Sequence, residues 1–101
     1  MGYIKNESFK NISFEKFREK IKSINIAESV SGISYEFKVE NNEIIGIRKS
    51  TMKPFTISIK NLYEAYTNLN IFNTSALKEF VNRVQSPSLA ILMGARLVIS
   101  N

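Results

Sequence analysis

Apolar residues recur at Phe14, Phe17, Ile21 and Ile24, spaced three, four and three apart, which is the spacing of one face of an α-helix. The expected helix covers residues 13–25, after a partly irregular N-terminal segment over residues 1–12. Ser13 stands at its N-cap, where the hydroxyl accepts an orphan backbone N–H. Glu15 lies near the positive end of the helix dipole, and Lys20 and Lys22 near the negative end.

Beyond a polar connection through Glu28-Ser29-Val30-Ser31-Gly32, the period changes to two. Ile33, Tyr35, Phe37 and Val39 alternate with Ser34, Glu36, Lys38 and Glu40, as in a half-buried strand. Asn41-Asn42 makes the turn that follows. A two-residue loop there pairs Val39 with Ile44 and sends Ile45 and Ile47 to the face of Glu36 and Lys38. A bulged three-residue turn instead keeps Ile45 and Ile47 on the face of Phe37 and Val39, and this is the expected register. Gly46 then faces the other side and marks a close backbone approach. A third strand alternates at Phe55, Ile57 and Ile59, completing an antiparallel meander over residues 33–59.

Residues 61–99 form the helical C-terminal part. Asn61 is the expected N-cap, with Glu64 closing a capping box and Leu62, Ala65, Tyr66 and Leu69 facing inward while Tyr63 points elsewhere. Past a break at Asn70-Ile71-Phe72-Asn73, Leu77, Phe80, Val81 and Val84 give a second stripe on a helix from Thr74. Two helices joined by a tight turn, the second opening on Thr74, Ser75 and Lys78, is the layout of a helix-turn-helix reader; a turn without glycine favours a plain αα-hairpin. Ser86 as N-cap and Pro87 at the first helical position open the last helix, whose Leu89-Ala90-Ile91-Leu92-Met93 is apolar all round. Gly94 ends it, and Leu97-Val98-Ile99 fits either a last turn or a strand on the sheet edge. If that segment is uncovered in the monomer, it predicts a dimer. The expected fold is α+β: an N-terminal helix, a three-stranded antiparallel meander, then two or three helices packed on one face of the sheet.

A length of 101 residues suits a single domain spanning 1–101, and 44% hydrophobic content with 11% aromatics supplies one core without a metal or disulfide staple. There is no cysteine to build a disulfide framework, and the N-terminal residues show no apolar h-region, so a cytoplasmic setting is expected. The longest apolar stretch, Leu89 to Ala95, falls far short of the roughly 20 residues of a membrane span, so no membrane partner is expected. The net charge of +5 comes from ten Lys and four Arg against nine Glu, and its sign favours polyanions. Ile, Asn and Lys are all abundant, which an AT-rich coding sequence also produces, so part of the lysine surplus carries no functional meaning.

The chain has no His, no Cys and no Asp. Those side chains supply proton shuttles, thiolate nucleophiles and compact metal ligands, so no enzyme activity, cofactor or metal is expected. Glu36, Glu40 and Glu43 flank the first hairpin and read as edge protection. The densest candidate chemistry is Arg48, Lys49, Ser50, Thr51 and Lys53, where cations neutralise phosphate charge and hydroxyls donate to phosphate oxygens. The plain alternative is a polar hairpin loop. Lys16, Lys20 and Lys78 are further candidate phosphate contacts, although Glu15–Arg18 and Glu19–Lys22 pairs also describe an ordinary solvated helix face. No glycine-rich phosphate cradle accompanies them.

Two functional readings follow. The first is a small basic domain that binds nucleic acid through backbone phosphates. The second is a protein-binding adaptor or inhibitor of the mobile-element or phage-accessory type, or a homodimer, anchored by Tyr3, Phe9, Tyr63 and the apolar C-terminal segment. Binding that weakens steeply with salt belongs to the first, and salt-insensitive binding to the second.

Overall fold

The computed structural model describes residues 2–100, leaving Met1 and Asn101, the outermost positions of the expected 1–101 domain, outside the description. The first helix, α1 (Phe14–Lys22), forms on the expected stripe but stops short of residue 25, leaving Ile24 beyond its Ser23 C-cap. Ser13 caps it by accepting the Lys16 N–H at 3.3 Å, and Phe17 and Ile21 are fully buried.

The polar connection begins later than expected, because the chain first forms β2 (Ile26–Glu28), which pairs antiparallel with β3 (Ser34–Glu40). Three residues are too few to show an alternation, and Ser29, Ser31 and Gly32 dominate the local composition. Gly32 adopts φ +88° in the connecting turn, and the Ser29 N–H donates to the Ile33 carbonyl at 2.8 Å.

The register after Asn41-Asn42 is the two-residue one, not the bulged one. Glu40 pairs with Glu43, Val39 with Ile44 and Phe37 with Gly46 across β3 and β4 (Glu43–Arg48). Ile45 and Ile47 therefore lie on the outer face beside Glu36 and Lys38. The reason lies in β5 (Lys53–Ser58), where Phe55 pairs with Gly46 on the inner face. A Cβ on Gly46 would stand 2.6 Å from Phe55 Cζ and 2.5 Å from the Glu36 carbonyl oxygen. The missing side chain is filled by the Phe55 ring, which packs edge-on against Tyr35 at 5.7 Å. Gly46 thus marks a close approach, but on the core side. The result is a four-stranded antiparallel sheet in the order β2-β3-β4-β5, one strand more than the meander expected. Ala27, Tyr35, Phe37, Ile44 and Ile57 are buried on one face, while Ile26, Glu36, Lys38 and Thr56 are exposed on the other.

Ser58, not Asn61, caps the next helix, α2 (Ile59–Asn68), by accepting the Asn61 N–H at 3.2 Å. Ile59, expected to end a strand, becomes the first helical residue and is fully buried with Leu62, Ala65 and Tyr66. Tyr63 does not point away: its hydroxyl donates to the Ile12 carbonyl at 2.8 Å and its ring packs edge-on against Phe14 and Phe17. The helix expected from Thr74 shrinks to one turn, α3 (Thr74–Leu77), capped by Asn73. Phe80 and Val84 donate to carbonyls three residues back, and Arg83 enters the left-handed region at φ +74°, so tight turns carry the stripe that buries Leu77 and Val81.

The last helix, α4 (Gln85–Gly94), starts before Ser86 and Pro87, with Val84 at the N-cap and no side-chain cap bond. Pro87 falls in the first turn, where its missing N–H costs nothing. Arg96 at φ +61°, rather than Gly94, ends the helix, with the Leu97 N–H reaching the Leu92 carbonyl and the Arg96 N–H that of Met93. Gly94 instead admits Ile24, whose Cδ1 would stand 3.2 Å from an added Cβ. The final residues form β6 (Val98–Ser100), which pairs antiparallel with β1 (Tyr3–Lys5) as a separate two-stranded sheet, so the parts read as irregular and as helical meet in a ladder. Ala90, Ile91 and Leu92 are buried within the chain, whereas Leu89 and Met93 are half-buried and Ile99 is exposed. Among the described residues no helix is long and apolar enough to cross a membrane.

Tyr66 joins the two ends of the chain. Its hydroxyl lies 3.0 Å from the carbonyls of both Phe9 and Leu97, sharing one proton between them, and its ring stacks against Phe17 and Phe72. Burial pushes this phenol from 10.0 up to about 12. Between those two pH values the unfolded chain loses the proton while the folded chain keeps it, so stability falls by about 1.4 kcal/mol per pH unit as pH rises. Tyr66→Phe is expected to lower stability at pH 7 by about 1–2 kcal/mol and to flatten this alkaline fall, read from denaturant unfolding at pH 7 to 12. An unchanged alkaline slope in the variant would contradict the assignment.

Candidate nucleic-acid interface

The cation-rich run between β4 and β5 is split by strand alternation. Arg48 and Lys53 are direct cross-strand partners and share the inner face with Tyr35. Lys49 falls on the outer side, where its ammonium lies 3.3 Å from the Glu36 carboxylate. That exposed pair contributes little to stability but takes Lys49 out of the cluster. Ser50 and Thr51 stay exposed at the loop tip; the Thr51 hydroxyl accepts the Lys53 N–H at 3.4 Å. The loop turns through Met52 at φ +58°, whose N–H reaches the Arg48 carbonyl at 2.7 Å.

The inner pair opens onto a cleft of about 450 Å³ between the end of the hairpin and the start of α4. Arg48, Lys53 and Arg83 line it with Tyr35, Phe55, Thr74 and the helix-opening Gln85, Ser86 and Pro87, and no carboxylate is among the lining residues. None of these three cations has an ion-pair partner among the described residues. Arg48 Nε is buried without a hydrogen-bond acceptor. Like charges directly opposite on paired strands repel, so Arg48 against Lys53 destabilises the hairpin. The bare N-cap of α4 leaves the Gln85 and Ser86 amides uncapped at the positive end of the helix. Positive charge, N–H donors and hydroxyls thus meet at one concavity, which is the donor set that an oxyanion requires.

The other candidate cations do not join it. Lys16 and Lys20 line a separate depression that also holds Glu7 and Glu19, and the Lys20 ammonium sits 4.1 Å from the centroid of the Phe9 ring. α1 is tied to the far end of the sheet, since Arg18 Nε donates to the Asn41 carbonyl at 2.8 Å. The six residues of β4 separate that end from Arg48 by roughly 20 Å. Lys78 follows the single turn of α3 and lines neither cleft. A four-residue α3 is too short to serve as a recognition helix.

Arg83 and the α4 N-terminus are the residues that sequence reasoning missed. The local signal was Arg83-Val84-Gln85-Ser86-Pro87, a cation immediately before a proline-marked helix start. Comparison with protein-family models, curated proteins and solved structures gives no match.

Replacing one member of the repelling pair tests its energetic cost. Lys53→Glu places a carboxylate opposite Arg48 and is expected to stabilise the fold by a few tenths to about 1 kcal/mol in low salt, measured by denaturant unfolding. A destabilised variant would show that Arg48 and Lys53 do not strain the hairpin.

Proposed function

We propose that this protein is a non-enzymatic basic domain that binds nucleic acid through its phosphates, with Arg48, Lys53 and Arg83 as the contacting cations. The observation that carries this reading is the convergence of three unpaired cations on a cleft that no carboxylate lines. Gln85 and Ser86 amides and the Ser86 and Thr74 hydroxyls add neutral donors. The cysteine-free composition supports a cytoplasmic setting. The adaptor reading has less support, because Tyr3, Phe9 and Tyr63 are partly buried against the core and Ala90, Ile91 and Leu92 of α4 are covered, leaving Leu89 and Met93 half-buried.

Fluorescence anisotropy with a labelled single-stranded oligonucleotide, titrated at several salt concentrations, tests the proposal. If each of the three cations neutralises one phosphate charge, on one group or on neighbouring ones, the slope of log K against log salt is about −2, since each charge contributes about −0.7 on single strands. Lys53→Ala and Arg83→Gly are each expected to reduce that slope by about 0.7, whereas Lys16→Ala with Lys20→Ala leaves it unchanged. Salt-insensitive binding, or loss of binding only in the α1 variant, would overturn the reading.

A further inference from the structure

We infer that the cleft accepts a terminal phosphate, the phosphomonoester end of a nucleic-acid strand, rather than a phosphate within it. This deepens the nucleic-acid reading and rests on it. A phosphodiester carries one negative charge and two free oxygens. A phosphomonoester carries a charge near −2 at neutral pH and three acceptor oxygens. Three unpaired cations with the uncapped amides of Gln85 and Ser86 favour the second ion, which carries more charge and offers more acceptor oxygens than the first.

The surroundings of the cleft also suit an end. An internal phosphate needs charge on both sides, so that the strand enters and leaves along a basic track. Here the positive charge stops at Thr74 and Ser86. These two residues are shared with an adjoining groove of about 260 Å³, whose other walls are Ser29, Val30, Ser31, Leu89, Ala90 and Met93 and which no charged residue lines. On the hairpin side the next cation, Lys49, is turned to the outer face of the sheet and occupied by Glu36. The cationic surface is therefore bounded on two sides, by an uncharged groove and by the Lys49–Glu36 pair, and a strand reaches it end-on.

The test compares three oligonucleotides of one sequence, bearing a 5′-phosphate, a 3′-phosphate or hydroxyls at both ends, in anisotropy titrations at constant ionic strength. Arg83→Gly is the variant of choice, because glycine accepts the φ of +74° that Arg83 occupies and the fold keeps its backbone while losing the charge. Binding of one phosphorylated end at least about tenfold tighter than the hydroxyl-ended strand is expected, with the ratio falling to near one in Arg83→Gly. The arm that gains identifies which end is recognised. Equal, salt-dependent affinity for all three strands, still weakened by Lys53→Ala, would overturn the terminal-phosphate inference while leaving the nucleic-acid reading intact. A preference for a phosphorylated end that survives both Arg83→Gly and Lys53→Ala would overturn the placement in this cleft. No binding to any strand at low salt would overturn both.

Discussion

The register of the β3–β4 hairpin is the constraint on which the rest of the structure depends. Side chains alternate along a strand, so a slip of one residue at Asn41-Asn42 would exchange every inner and outer position of β4. With Glu40 opposite Glu43, Gly46 lies under the Phe55 ring and Arg48 stands beside Tyr35. The pairing of β4 with β5 then carries Lys53 onto the same side as Arg48. A core packed around an absent side chain and a cleft of unpaired cations are two consequences of one two-residue turn.

That register was not legible from apolar counting, and the reason is physical. Ile45 and Ile47 offer more apolar surface than Ile44 and Gly46, so hydrophobicity alone sends them inward. The core instead takes the register in which a bulky ring from β5 occupies the space over glycine, leaving Ile45 and Ile47 half-buried on the outer face. Elements defined by local chemistry were readable: α1 with its Ser13 cap, the alternation of β3, and the inward face of α2. Elements defined by distant partners were not. β2 is three residues held by β3, and β6 pairs with β1 from the opposite end of the chain. The helix expected from Thr74 had its apolar stripe, yet the left-handed backbone at Arg83 ends any continuous helix before α4 begins.

Half of the candidate site was readable for the same reason. Arg48 and Lys53 stood out as a local concentration of charge. Their separation from Lys49 followed only from knowing which face each strand residue takes. Arg83 is thirty residues further along the chain than Lys53 and joins the cluster through the packing that sets α4 against β2 and α3. Tyr66 supports that packing from within, since its hydroxyl ties Phe9 and Leu97 to α2 and so closes the N- and C-terminal segments around the helical layer. The basic face of α1 shows the converse: it reads as a phosphate track, but Lys20 lies over the Phe9 ring and Arg18 is bound to the Asn41 carbonyl.

The proposed site for anionic ligands is the place where the hairpin end meets the start of α4. Amide and arginine side-chain chemical shifts, followed by NMR while a short single-stranded oligonucleotide is titrated into the labelled protein, test it most directly. Saturable shifts centred on the Gln85 and Ser86 amides and the Arg48 and Arg83 Nε–H groups are expected, with α1 unmoved. Shifts centred on Lys16 and Lys20, or spread evenly over the basic surface, would contradict this placement.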